Sequence, residues 1–188
     1  TSGGAERGLE FLSLDNTAAT GLFATYFRPD PEFIGIPTSV TDFDAMYLGR
    51  YKIYGTIIGP TYSGTDGNVN FASTTSPFNG HELLTDNFLA RWAGKIYIRE
   101  EGTVTFYDGN RLFIDGTQVL SDPGVHAMRE TSGSIFLTKG YHDIKLEYFE
   151  AAGGAGVILK YDPVDGPKQV IPTGVLFPST FVPISDLA

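Results

Sequence analysis

Apolar and polar positions alternate with a period of two over much of the stretch from Asn87 to Tyr161. Successive side chains of an extended strand point to opposite faces, so this period predicts strands buried on one side. Phe88, Ala90 and Trp92 alternate with Leu89 and Arg91, and residues 95–99 continue with Ile96 and Ile98 against Tyr97. Val104 and Phe106 then share one face while Thr103, Thr105 and Tyr107 take the other. Residues 111–114 form a strand bracketed by Asp108-Gly109-Asn110 and Asp115-Gly116. Both Asp-Gly steps predict tight hairpin turns, because glycine adopts positive φ without steric cost. Residues 134–137 make a short strand, Gly140 a turn, and residues 142–150 alternate with Ile144, Leu146 and Tyr148 on one face. A glycine-rich loop, 151–156, precedes the last clear strand at 157–161.

Upstream, residues 21–27 are rich in β-branched and aromatic side chains and are closed by Pro29 and Pro31, which reads as a strand followed by a turn. Residues 9–15 read as an edge strand or a linker. Residues 32–80 carry much Gly, Pro, Ser, Thr and Asp with only short strand-like pieces such as 51–58, a composition of functional loop or decoration. Helical periodicity is absent. The spacing of strands and turns therefore predicts an all-β fold, a two-sheet antiparallel β-sandwich with long inserted loops. Its expected organisation is a linker or edge segment over 1–20, the sandwich over 21–177 and a C-terminal tail over 178–188. Residues 1–7 read as linker, and the chain as a piece of a longer protein.

Composition narrows the functional classes. At 188 residues with 41% hydrophobic positions, 14 Phe and 10 Tyr, the chain can build a core without disulfide or metal. Thirteen basic residues against 22 acidic ones give a net charge of -9, which repels phosphate backbones and anionic lipid. Nucleic acid and membrane insertion are thereby disfavoured, and neutral glycans or divalent cations suit the surface better. No cysteine is present, so disulfides, thiolate chemistry and cysteine-held zinc are excluded. That absence leans towards a bacterial extracellular protein.

Several blocks together resemble a known family. They are Gly21-Leu22-Phe23-Ala24-Thr25-Tyr26-Phe27, Phe88-Leu89-Ala90-Arg91-Trp92-Ala93-Gly94, residues 101–116, Gly133-Ser134-Ile135-Phe136-Leu137 and Gly140-Tyr141-His142-Asp143-Ile144-Lys145-Leu146-Glu147-Tyr148. In order and spacing the chain is similar to the protective-antigen-fourteen domain over roughly 21–163. The resemblance implies a sandwich fold and, in lectin-like members, a calcium ion held by paired aspartates that in turn holds sugar hydroxyls. Calcium suits carboxylates because it is a hard cation taking six to eight oxygen ligands. Here Asp108 takes the place of the second aspartate, while Tyr107 stands where the first would be. The second ligand loop corresponds to residues 150–156, with Glu150 as a carboxylate. The expected metal ligands are thus Asp108 and Glu150, and the expected ligand-binding set is Tyr107, Asp108, Gly109, Glu150, Gly153, Gly154 and Ala155.

Other candidate chemistry is sparse. His81, His126 and His142 lie far apart, and the run from His81 lacks the second histidine of the zinc-protease motif. No Gly-x-Ser-x-Gly elbow occurs, so acyl transfer has no anchor. Asp42, Asp44 and Asp66-Gly67-Asn68 read as solvated loops. Tyr51, Tyr54, Tyr62 and Phe71 read either as sugar-stacking platforms or as local core. Trp92 reads as core. The expectation is a non-catalytic, lectin-like, calcium-assisted carbohydrate-binding module, monomeric when isolated, from an adhesive extracellular or cell-surface protein. The alternatives are a structural or interaction module lacking the calcium site, and an ancillary domain of a glycoside hydrolase.

Overall fold

A computed structural model describes residues 19–28, 60–121 and 127–178, together with the backbone of 52–53 and 56–57. In chain order the strands begin with β1 (Leu22–Phe27), β2 (Lys52–Ile53), β3 (Thr56–Ile57), β4 (Tyr62–Asp66), β5 (Asn70–Thr74) and β6 (Phe88–Ile98). They continue with β7 (Gly102–Asp108), β8 (Arg111–Ile114), β9 (Thr117–Leu120), β10 (Thr131–Leu137) and β11 (Gly140–Glu150). The chain then forms β12 (Ala155–Ile158), β13 (Lys160–Asp162), β14 (Gln169–Val170) and β15 (Leu176–Pro178). Among the described residues the only helical pieces are two single 3₁₀ turns, Phe78–Gly80 and Thr173–Val175, so no helix is long and apolar enough to cross a membrane.

Two antiparallel sheets face each other. The larger runs β4-β1-β6-β11-β8-β9, with β15 also paired to β6, and the smaller runs β10-β7-β13-β14. β5 and β12 form a separate pair, as do β2 and β3. The period-two expectation holds: Phe88, Ala90, Trp92, Leu112, Ile144 and Leu146 from the large sheet meet Val104, Phe106, Leu137 and Tyr161 from the small one in a single core. Trp92 has no exposed surface. Burying such large side chains supplies the main favourable free energy, roughly 1.5–3 kcal/mol per large apolar residue.

The structure bears out two local readings and corrects two. Residues 88–98 form one continuous strand. The Asp115-Gly116 step is a true hairpin turn joining β8 to β9, with φ of 50° and 77°. Asp108-Gly109-Asn110 is not a hairpin, because β7 and β8 belong to different sheets and the turn carries the chain across the sandwich end. The strand expected at 157–161 is two strands that part at Leu159: β12 pairs with β5, whereas β13 pairs with β7 and β14. Leu159 bridges the change, its N–H donating to Val69 O and its carbonyl accepting from Ile171 N–H. β14 and β15 lie beyond the last strand that alternation revealed, since two or three residues are too short to show a period.

The outward face of the large sheet is also closed along its centre. Leu89 packs with Phe27 and Phe149, and the next row sets Arg91, Glu147 and Arg111 directly opposite one another on β6, β11 and β8. Glu147 Oε2 accepts from both guanidinium groups, at 3.0 and 2.8 Å. Burial works against the Glu147 charge, but the two arginines outweigh it and hold its pKa below the usual carboxylate range.

A second polar cluster ties the inserted segment to the core. Asp66, at the end of β4, accepts from the Tyr26 hydroxyl, from Trp92 Nε1 at 2.8 Å and from Asn79 Nδ2 at 3.1 Å. Tyr62 stacks on His81 at 4.4 Å, and Phe71 packs on Phe78 and Trp92. Tyr62 and Phe71 therefore serve local packing, while Asp42, Asp44, Tyr51, Tyr54 and His126 lie outside the described residues.

Candidate functional site

Alternation itself builds the site. The inward face of β7 carries Val104, Phe106 and Asp108, and that of β11 carries Ile144, Leu146, Tyr148 and Glu150. Each apolar series thus runs one step past the core and ends in a carboxylate, from opposite sheets, at the same end of the sandwich. Asp108 is 4% exposed and Glu150 7%. Together they line a niche of about 20 Å³, also bounded by Asn110, Arg129 and Tyr148. That is room for a single water or ion.

The niche opens beside a wider groove of about 390 Å³, which shares Met128, Phe149, Glu150 and Gly154 with it and adds Ser73, Ala152 and Gly153. Its size falls in the usual range for small-ligand sites, roughly 300–1,000 Å³. The walls are mostly small residues, so the floor is backbone-like and accessible.

Hydrogen bonds fix the carboxylates. Gly109 N–H donates to Asp108 Oδ1 at 2.7 Å, and Asn110 Nδ2 donates to Oδ1 and Oδ2 at 3.0 and 3.1 Å. The Thr131 hydroxyl donates to the Asp108 carbonyl at 2.6 Å, pinning β10 to the turn. On the other side the Tyr148 hydroxyl donates to Glu150 Oε2 at 2.5 Å and accepts from Gly156 N–H at 3.2 Å. Burial, reinforced by Glu150, pushes the Tyr148 pKa far above its ordinary value, so this hydroxyl stays a donor. Gly109 is required sterically: a Cβ there would sit 2.3 Å from Arg129 O and 3.3 Å from its Cγ.

Of the residues expected from the sequence, Asp108, Gly109, Glu150 and Gly154 line the niche, and Gly153 lines the groove. Tyr107 and Ala155 do not join them. Tyr107 has the opposite parity to Asp108 and lies on the outward face of the small sheet, with Lys168 Nζ 3.8 Å above its ring. Ala155 begins β12 opposite Thr74 and is buried in the core. The sequence reading missed Asn110, Arg129, Tyr148, Met128 and Ser73. Tyr148 shares the parity of Glu150 and was within reach, whereas Arg129 and Ser73 arrive from remote segments that no local pattern connects.

For the calcium ion that the resemblance implies, the described residues bring two carboxylates, Asp108 and Glu150, to the niche. Both Asp108 oxygens accept N–H groups, from Gly109 and Asn110. Arg129 lines the niche through its backbone O and Cγ beside Gly109, and Asp108, Glu150 and Arg129 all have interaction partners. Among the described residues no group of three or more His, Asp or Glu side chains could hold a metal, against the six to eight oxygens calcium takes. The other histidines add no ligand cluster: His81 is a stacking partner, and His142 is held by Asp115 at 2.6 Å and Thr138 O at 2.7 Å.

Residues 19–174 match the family described as the PA14 domain. The chain belongs to that family. Among curated proteins, the anti-sigma-I factor RsgI3 of Acetivibrio thermocellus is 34% identical over 99 residues, covering 50% of this chain and 15% of that protein. The alpha-agarase of Thalassotalea agarivorans is 30% identical over 142 residues, covering 71% of this chain and 9% of the enzyme. The PA14 chain thus spans a small part of both relatives. Among solved structures, the PA14 sugar-binding domain from an RTX adhesin superposes with a TM-score of 0.67 at 17% identity, over 85% of this chain and 99% of that one. At that identity the likeness speaks for the fold.

Proposed function

We propose that this PA14 domain is a non-catalytic carbohydrate-binding module of a longer extracellular or cell-surface protein, taking a sugar in the groove beside Glu150. The observation that carries the reading is the groove's junction with a polar niche. Apolar Met128 and Phe149 offer surface to the C–H face of a pyranose, while Glu150 and Ser73 offer oxygens to its hydroxyls. Calcium assistance would require Asp108 and Glu150 to hold the ion, and no part of the binding proposed here runs through it. The isolated domain is proposed to be monomeric, and a glycan or cell-surface polysaccharide to be its partner.

The test is a glycan array followed by calorimetric titration, run in calcium and in chelator. Failure to bind any glycan in either condition rejects the reading. Ala152 is exposed on the groove wall, so Ala152→Trp is expected to fill the groove and weaken binding at least about tenfold, some 1.4 kcal/mol, with melting nearly unchanged. Undiminished binding by that variant would move the sugar elsewhere.

A second reading concerns the parent. The match to a short part of an alpha-agarase favours an ancillary domain that holds a polysaccharide near a separate catalytic domain. Fusing the domain to a polysaccharide-active catalytic domain checks this: activity should rise on insoluble substrate and stay unchanged on soluble substrate.

A further inference from the structure

We infer that the outward face of the large sheet carries a second glycan contact, an aromatic corner of Tyr97, Tyr141 and Phe177 that takes one unit of a neutral polysaccharide chain. The inference goes beyond the groove and does not depend on it. Strand register builds the corner. Tyr141 of β11 lies opposite Tyr97 of β6, and in the next outward row Asp143 of β11 and Phe177 of β15 flank Lys95 of β6. The Tyr141 ring centroid is 5.0 Å from that of Tyr97 and 5.4 Å from that of Phe177, with the rings inclined at 61° and 72°. Edge-to-face contacts of this kind fix ring orientation. Tyr141 nevertheless keeps 56% of its surface exposed. Clustered apolar surface left in water marks a contact site.

Area and charge select the partner. An aromatic side chain buries about 150–250 Å² when wholly covered, so three of them, already part buried, offer well under the roughly 800 Å² per partner of a stable protein interface. A sugar ring needs far less. The two charged side chains of the patch, Lys95 and Asp143, pair with one another, so in a chain of net charge -9 the corner itself is balanced. An anionic polymer finds no excess positive charge there, and a neutral one needs none. The apolar C–H face of a pyranose would rest against the rings, while Lys95 and Asp143, with side chains 33% and 65% exposed, offer donors and an acceptor to its hydroxyls. Tyr141 and Glu150 stand at opposite ends of β11, about 30 Å apart along the strand. Two contacts so separated raise avidity for a polymer over a short oligosaccharide.

The experiment measures depletion of the domain from solution by agarose, cellulose and insoluble xylan as neutral probes and by carboxymethyl-cellulose as the anionic one. The wild type is expected to bind at least one neutral probe and to pass the anionic resin. Tyr141→Ala should weaken that binding at least about tenfold with melting nearly unchanged, whereas Tyr141→Phe, which keeps the ring, should stay within about threefold of wild type. Wild-type binding by Tyr141→Ala would overturn the inference, as would a wild type that binds no neutral probe. Self-association of the wild type that Tyr141→Ala abolishes would assign the face to a second copy and overturn it as well. If Tyr141→Ala fails to fold, Asp143→Ala decides: a loss of at least about fivefold supports the corner, and none overturns it. Ala152→Trp separates the corner from the groove. Binding weakened by Tyr141→Ala supports the corner whether or not Ala152→Trp weakens it too, and binding weakened by Ala152→Trp alone leaves the groove standing and overturns the corner.

Discussion

Replacing Asp66 by alanine tests how the inserted segment is fastened to the sandwich. The carboxylate accepts hydrogen bonds from Tyr26, Trp92 and Asn79, and the first two are about 1% and 0% exposed. Burial and Asp66 together raise the Tyr26 pKa far above normal, so its hydroxyl remains a donor that needs an acceptor. Removing Asp66 strands two buried donors, each costing about 1–3 kcal/mol, and Asn79, which donates to the Tyr26 oxygen, offers the Tyr26 O–H no acceptor. A net loss of about 3 kcal/mol is expected, or about 6–12 °C in melting temperature for a domain of this size. The chain has one tryptophan, Trp92, so its fluorescence reports unfolding from the network itself. Tyr26→Phe removes one orphaned donor, and in the Asp66→Ala background it should cost at least about 1 kcal/mol less than in the wild type. A single-variant loss below about 1 kcal/mol, or strict additivity of the pair, would refute the reasoning.

Two further substitutions probe the charged pairs. Glu147→Ala should cost about 3–5 kcal/mol by removing from Arg91 and Arg111 the carboxylate they share in a buried row, measured by urea unfolding. Because the Glu147 pKa is depressed in the folded state, its contribution is present above the unfolded carboxylate range near pH 4.3 and fades as pH falls through the lower folded value. An unchanged acid limb in the variant's stability profile would contradict this. His142 works in the other direction: burial disfavours its charge, yet hydrogen bonds to Asp115 and Thr138 O, with the nearby Asp143, outweigh it and raise its pKa. Both ring nitrogens face acceptors, an arrangement that favours the imidazolium form. Its stabilisation is full below about pH 6.5 and is lost as pH rises through the higher folded value. The melting difference between wild type and His142→Gln should therefore shrink from pH 5 to pH 9, and a growing difference would refute the assignment.

Sequence alone determined the all-β sandwich, its central strands and the inward or outward parity of most residues. Alternation is a local property, read from neighbours two apart, and it survives whatever the rest of the chain does. The same parity pointed Asp108 and Glu150 inward and Tyr107 outward, although resemblance placed Tyr107 in the site. Tertiary structure decided that the Asp108 turn crosses between sheets, that the stretch after Gly154 divides at Leu159, and that Arg129 lines the niche and Ser73 the groove beside it. Those facts depend on which strands pair across separations of tens of residues, where hydrogen bonding and core packing choose the partners and no short-range pattern records the choice.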